Sequence, residues 1–177
     1  MVWPRARLVP VFVLLGVTIA DAQITREEAL ASVFPGATLR QEQVFLTPSQ
    51  QQQLRARGVD IQSALVARYF ATRDGKRVGR TYVDTHVVRT KRESLLISLD
   101  EGGRVKRVDV TAFLEPTEYM ASEAWLRQYR DRPLGDDLAV NRAIRPMAGA
   151  TLTSRAVNAA VRRVLALDEL LRGQESR

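Results

Sequence analysis

The sequence RPMAGATLTS, at residues 145–154, directly precedes the longest run of helical periodicity in the chain. Apolar residues follow it at three- and four-residue spacing, with arginine and glutamate mostly elsewhere on the circumference. The apolar positions are Val157, Val161, Val164, Leu167 and Leu171. This spacing predicts a long amphipathic C-terminal helix that buries one face against the rest of the domain.

The junction between this stretch and the helix has the features of an anion-binding site. The first N–H groups of a helix have no internal partner, and the helix dipole adds partial positive charge there. Gly149 allows a close backbone approach, and Thr151, Thr153 and Ser154 supply hydroxyl groups. An N-capping run, in which Thr153 or Ser154 accepts from these N–H groups, is the alternative that local physics favours.

A second Gly-Ala-Thr tripeptide occurs at residues 36–38. It follows Pro35 and leads into no strong helical pattern, so we interpret it as a turn. The tripeptide is therefore not diagnostic by itself, and the helix behind residues 149–151 is what distinguishes them.

Gly-Ala-Thr-Leu-Thr-Ser before a helix resembles the flavinylation motif of the FMN-binding domain family. That family includes the flavin-carrying extracytoplasmic subunits of sodium-pumping NADH:quinone reductase and of ferredoxin:NAD oxidoreductase. Its threonine carries FMN through a phosphoester bond, so the resemblance implies attachment at Thr151. It also implies that the neighbouring residues contact the cofactor, namely Gly149, Ala150, Leu152, Thr153 and Ser154.

Two positions differ from the usual motif. Ala148 stands where the family commonly has serine or threonine, and Arg145 stands where it commonly has an acidic residue. Both lie in the segment that a flavin transferase would recognise. Glu115-Pro116-Thr117 is similar to a Glu-Thr-Pro segment that the family often has near the flavin, which implies Glu115 and Thr117 as further contacts. A proline that ends a strand also needs no function.

Composition narrows the possible chemistry. The 177 residues are 45% hydrophobic, enough for one domain with a core, and the chain has no cysteine. Disulfides and cysteine-ligated metal centres are excluded, and the single histidine, His86, argues against a zinc or copper site. Because no nucleophile–base pair is legible, we assign no catalytic residue and expect an electron-transfer protein rather than a stand-alone enzyme.

Residues 1–22 have the pattern of a signal peptide, with Arg5 and Arg7 before an apolar run and an Ala-Asp-Ala cleavage site. An uncleaved membrane anchor is the alternative. Either version predicts a periplasmic location or one at the extracytoplasmic face of the membrane, away from nucleic acid. The net charge of +7 suits an acidic partner or an anionic membrane surface.

The remaining chain predicts an α+β fold. Capping boxes at Thr25 and Thr47 begin two short helices, which end near Pro35 and at Gly58. Strands at 61–72 and 77–88 flank a turn at Asp74-Gly75, and strands at 93–99 and 105–113 flank a turn at 101–103. We therefore expect an antiparallel sheet of two or more hairpins, packed with the long C-terminal helix and shorter N-terminal helices.

These observations predict one FMN-binding domain over residues 23–177, with a core of about 61–171. The implied function is an exported flavoprotein that relays electrons. Its partners would be a flavin transferase with its flavin donor and redox partner proteins, with membrane-bound ones included. The alternatives are a cofactor-free exported interaction module with a basic hairpin surface, and an FMN-dependent reductase of a small substrate. His86 is either structural or a hydrogen-bond or proton donor to the flavin.

Overall fold

The computed structural model describes residues 24–175, so the predicted export signal at 1–22 lies outside the described residues. The described chain forms a five-stranded antiparallel sheet with helices on both faces, which confirms the α+β class. The elements are α1 (Arg26–Val33), β1 (Thr38–Phe45), α2 (Pro48–Ala56), β2 (Leu65–Arg73), β3 (Lys76–Val87), β4 (Arg92–Leu99), β5 (Val105–Phe113), α3 (Glu123–Leu126) and α4 (Thr151–Glu175).

The strands lie in the sheet in chain order, each antiparallel to its neighbours. Both predicted hairpins are confirmed. Asp74 and Gly75 have φ angles of 51° and 73°, the left-handed conformation that a tight hairpin turn requires. β2 begins at Leu65 rather than at Ile61, because residues 61–64 form the approach to the strand.

The first strand, β1, is absent from the sequence-based prediction. It pairs only with β2, from Thr38 opposite Thr72 to Phe45 opposite Leu65. As an edge strand with no fully buried residue, it carries no apolar alternation that would reveal it. Gly36 has a φ of 71° and lies in a turn, as predicted, but Thr38 already belongs to β1.

Both predicted capping boxes are present. The Thr25 hydroxyl accepts from the Glu28 N–H at 3.2 Å while the Glu28 carboxylate accepts from the Thr25 N–H at 3.0 Å. Thr47 and Gln50 repeat the arrangement at the start of α2. α1 then packs on one face of the sheet, where Leu30 contacts the β4 residue Leu96 in a buried cluster.

α4 covers the opposite face and supplies most of the main core. Its predicted apolar stripe is buried, and Val157, Val161 and Val164 pack with β4 side chains that include Leu95 and Ile97. The amphipathic spacing of the sequence is therefore confirmed.

Two buried ion pairs set the direction of α4 on the sheet. Asp168 accepts from the Arg80 Nε at 2.5 Å and from the Tyr82 hydroxyl at 2.9 Å, and Arg163 donates to Asp84 at 2.7 Å. Arg163 pairs with Asp84, and Asp168, which comes later in α4, pairs with Arg80, which comes earlier in β3. α4 is therefore antiparallel to β3, and its first turn lies at the end of the sheet where β3 finishes.

Within residues 24–175, no helix combines the length and apolar character needed to cross a membrane.

We expect Asp168→Ala to lower the free energy of unfolding by about 3–5 kcal/mol, because it leaves the buried Arg80 guanidinium without its carboxylate. Glu169→Ala is the matched control at the next position. Its ion pair with Arg57 is exposed and 3.5 Å long, so its loss should cost less than about 1 kcal/mol. Urea unfolding of both variants measures the difference, and equal losses would contradict the assigned role of Asp168.

Candidate functional site

Three separate segments meet at the end of the sheet where α4 begins. They enclose a cleft of about 520 Å³. Its lining consists of residues 88–90 in the β3–β4 turn, residues after β5 that include Glu115, Glu118 and Tyr119, and residues 149–153 at the start of α4. The motif predicted from the sequence therefore forms one wall of this cleft.

The start of α4 is fixed by a short set of hydrogen bonds. Gly149 turns the chain with a φ of 74°, and the Ala150 carbonyl accepts from the Ser154 N–H at 3.0 Å. The buried Ser154 hydroxyl accepts from the Met147 N–H at 2.9 Å and donates to the Ala150 carbonyl at 3.1 Å. Ser154 thus ties residues 147–150 to the first turn and does not line the cleft. The capping interpretation was wrong in its detail, because this hydroxyl accepts from an N–H outside the helix.

The first turn of α4 presents unsatisfied donors to the cleft. The N–H groups of Thr151, Leu152 and Thr153 have no acceptor among residues 24–175. Thr151 and Leu152 are exposed, whereas Thr153 lines the cleft with its side chain almost fully buried. Three free amides at the positive end of a helix 25 residues long can bind an anion.

Trp125 holds the segment that leads into this turn. Its indole N–H donates to the Arg145 carbonyl at 2.7 Å, and the Gln128 side chain accepts from the Arg145 N–H at 2.9 Å. The ring packs edge-on against Tyr129, with the centroids 5.7 Å apart. Trp125 therefore holds the segment before the motif in place through Arg145, and it is not part of the cleft lining.

Glu115 organises the opposite wall. Its carboxylate accepts from the N–H groups of Thr90 at 2.7 Å and of Lys91 at 2.8 Å. These hydrogen bonds hold the pKa of Glu115 below its usual value, and the one from the Thr90 N–H has the largest effect. The other predicted contact in this segment, Thr117, begins a short 3₁₀ turn and does not line the cleft.

Several lining residues carry no signal in the sequence. Val88, Thr90, Glu118 and Tyr119 reach the cleft because antiparallel pairing brings the β3–β4 turn next to the end of β5. No short motif contains them, and only the register of the sheet could have indicated them. Arg89 lies in the same wall and adds a positive charge beside the helix start.

Residues 92–166 match the family model of the FMN-binding domain. This segment belongs to the FMN-binding domain family. It runs from β4 into α4 and contains Glu115 and the whole of 149–154, so the match includes two of the three cleft walls. Neither a curated protein nor a solved structure matches the chain significantly. The match indicates FMN as the cofactor, and the chain is an FMN-binding flavoprotein.

The cleft suits the two chemical parts of FMN. A volume of about 520 Å³ lies within the range of roughly 300–1,000 Å³ common for small-ligand sites. The free amides of the first turn and the Arg89 guanidinium suit a phosphate. Val88, Leu152 and Tyr119 supply apolar surface for an aromatic ring system.

His86 does not line this cleft but lies in a buried polar cluster on the α4 side of β3. One ring nitrogen contacts Asp84 at 2.8 Å and the other contacts Glu93 at 3.0 Å, and Asp84 in turn accepts from Arg163. Burial opposes the charged imidazolium, yet hydrogen bonds to Asp84 and then Glu93 raise the pKa of His86 to about 9. The structural alternative for His86 is therefore the one that its contacts favour.

A raised pKa in the folded state makes stability depend on pH. The proton on His86 stabilises the fold fully below its unfolded pKa of 6.5, and this contribution disappears as the pH rises through about 9. We expect the wild-type free energy of unfolding to fall by about 2 kcal/mol between pH 6.5 and 9. His86→Gln should lack this decrease, whatever its absolute stability. Because His86 is the sole histidine, parallel pH profiles from urea titrations of both proteins would refute the assignment.

Proposed function

We propose that this flavoprotein is exported, carries FMN through a phosphoester bond to Thr151 and relays electrons between redox partners. The observation that supports the proposal is the position of Thr151. Its exposed side chain lies on the first residue of α4, in the wall of the cleft, next to amides that have no other acceptor. A hydroxyl there can bear a phosphoryl group that the same turn stabilises.

The residues of the cleft divide between the parts of the cofactor. The amides of 151–153 hold the phosphate, and Val88, Leu152 and Tyr119 contact the ring system. FMN supplies one- and two-electron redox chemistry, while the protein supplies binding, orientation and electrostatics. Glu115 keeps the turn at residues 88–91 in place, so its negative charge is already engaged by backbone donors.

Covalent attachment has a physical reason in an exported protein. Free flavin is dilute outside the cell, so a noncovalent cofactor would dissociate by mass action. A covalent bond maintains occupancy at any external concentration. Ala148, Gly149 and Thr151 are all exposed, which leaves the motif accessible to a flavin transferase.

The cleft favours electron relay over reduction of a small substrate. Its titratable side chains are Arg89, Glu115, Glu118 and Tyr119, and no two of them share a hydrogen bond that would mark a proton-transfer pair. Relay through FMN needs no such pair, only a cofactor near the protein surface. The indicated cofactor also disfavours the cofactor-free interaction module as the primary function.

The second Gly-Ala-Thr tripeptide supplies a matched control for the attachment site. Thr38, like Thr151, is an exposed threonine after Gly-Ala, but it begins an edge strand and does not line the cleft. After export with a competent flavin transferase, wild type and Thr38→Ala should show flavin fluorescence on a denaturing gel. Thr151→Ala should show none.

The native absorbance spectrum separates attachment from binding. A yellow wild-type protein without a fluorescent denatured band would contradict the covalent bond and leave FMN binding intact. Fluorescence retained in Thr151→Ala would place the bond on another residue. A wild-type protein that stays colourless with transferase and flavin supplied would reject the whole proposal.

A further inference from the structure

The exposed apolar side chains of this domain lie together. Among residues 24–175, six large hydrophobic side chains are exposed, from 38% for Tyr119 to 71% for Phe45. All six lie at the end of the sheet where the FMN cleft opens: Phe45, Leu65, Val87, Leu114, Tyr119 and Leu152. The end with the β2–β3 and β4–β5 turns carries none of the six.

Four of these residues form a row on one face of the sheet. Phe45 pairs directly with Leu65, and Val87 pairs with Arg92. The Leu114 N–H donates to the Arg92 carbonyl, which continues the β4–β5 register. The β2–β3 pairing begins at Arg68 opposite Tyr82, and the alternation along each strand places Leu65 and Val87 on the face opposite that pair. Since paired residues project to the same face, the Phe45–Leu65 pair and the group of Val87, Arg92 and Leu114 share one face of the sheet.

This row shares its face with α1 but extends beyond it. Val83 and its partner Leu96 lie on the same face and pack against Leu30 of α1. α1 has eight residues and is therefore about 12 Å long, which covers only the part of the face away from the cleft. Nothing in residues 24–175 covers the remainder, and an uncovered apolar patch on a protein commonly marks an interaction site.

Cations without carboxylate partners lie beside the row. Arg89, Lys91 and Arg92 belong to the β3–β4 turn and the first residue of β4, and none forms a salt bridge within the described chain. The adjacent acid, Glu115, is engaged by turn amides. Apolar side chains that enter the boundary between headgroups and acyl chains, with lysine and arginine beside them on lipid phosphates, are typical of an interfacial membrane contact.

The beginning of the described chain agrees with this orientation. Ile24, the first described residue, packs against the cluster on the α1 face. Ile24 also lines a cavity with Thr117 and Met120, next to the turn that carries Tyr119. Ile24 therefore lies on the same face and beside the same end.

We propose that the sheet-end surface, defined as Phe45, Leu65, Val87 and Leu114 with Lys91 and Arg92, docks on a lipid bilayer with anionic headgroups. This contact brings the end of the sheet that carries the cleft, with Leu152 and Tyr119 at its rim, close to the bilayer. The consequence for electron transfer rests on the proposed function: the redox partner of the flavin is a membrane component.

Other occupants fit this surface less well. A symmetric second copy would bring two sets of Lys91 and Arg92 into one interface, while the adjacent acid, Glu115, is already engaged by turn amides. An acidic protein would match the cations but would leave the apolar row, with Phe45 as its most exposed member, without a complementary surface.

Vesicle flotation of the exported, FMN-loaded chain tests the docking. Wild type should bind vesicles that contain phosphatidylglycerol and bind less well to pure phosphatidylcholine. The combined variant Phe45→Thr, Leu65→Thr and Val87→Thr keeps β-propensity and touches no cleft residue. It should reduce vesicle affinity by about tenfold or more, because three apolar side chains no longer enter the interface.

The charge contribution has its own variant pair. Lys91→Gln with Arg92→Gln should weaken binding by about tenfold at low salt, and high salt should abolish the difference from wild type. Lys76→Gln with Lys106→Gln removes two exposed lysines at the opposite end of the sheet and should bind as wild type does. Thermal unfolding and flavin absorbance verify that each variant is folded and loaded.

The docking proposal is overturned if wild type fails to bind anionic vesicles, or if the threonine variant binds as well as wild type. It is also overturned if wild type is a dimer without vesicles and the threonine variant is a monomer, since the surface then joins two copies. Specific vesicle binding by a protein that never takes up flavin would support docking and contradict only the proposed function.

Discussion

Two buried ion pairs, Arg80 with Asp168 and Arg163 with Asp84, determine where the long helix lies on the sheet. The apolar contacts of α4 contribute most of the core, but hydrophobic burial is non-directional and would tolerate other helix positions. A buried charge without its partner is costly, so only one direction and register satisfies both pairs. That register places Thr151 at the end of the sheet beside the β3–β4 turn, and the cleft exists because of it.

Side-chain-to-backbone hydrogen bonds then hold each wall of the cleft separately. Ser154 connects the loop before α4 to the first turn of the helix, and the Glu115 carboxylate accepts hydrogen bonds from two amides of the β3–β4 turn. Trp125 holds the segment before the motif in place through its hydrogen bond to the Arg145 carbonyl. A cofactor site assembled from distant segments needs such bonds, because loose walls would have to be ordered by the ligand at the expense of affinity.

The cleft proposed for FMN and the exposed apolar residues lie at one end of the sheet for related reasons. A helix that begins there leaves amides without acceptors, and a helix as short as α1 leaves the same end of the opposite face uncovered. With the cations of the β3–β4 turn, this end combines the site proposed for FMN with the surface proposed to dock on a bilayer. The His86 cluster lies on the buried side of β3 and contributes to stability rather than to the cleft wall.

The sequence by itself determined the features that depend on residues close together in the chain. These are the two capping boxes, the two hairpin turns, the apolar stripe of α4 and the motif at 149–154, because helix ends and tight turns are local. The tertiary structure decided the rest. β1 is too polar to be recognised without its partner strand. Nothing in the sequence distinguishes Arg80 and Asp168 from exposed charged residues, and only the fold buries them against each other. Val88, Thr90 and Tyr119 join Thr151 only through strand register and helix position, which arise from contacts between residues far apart in sequence.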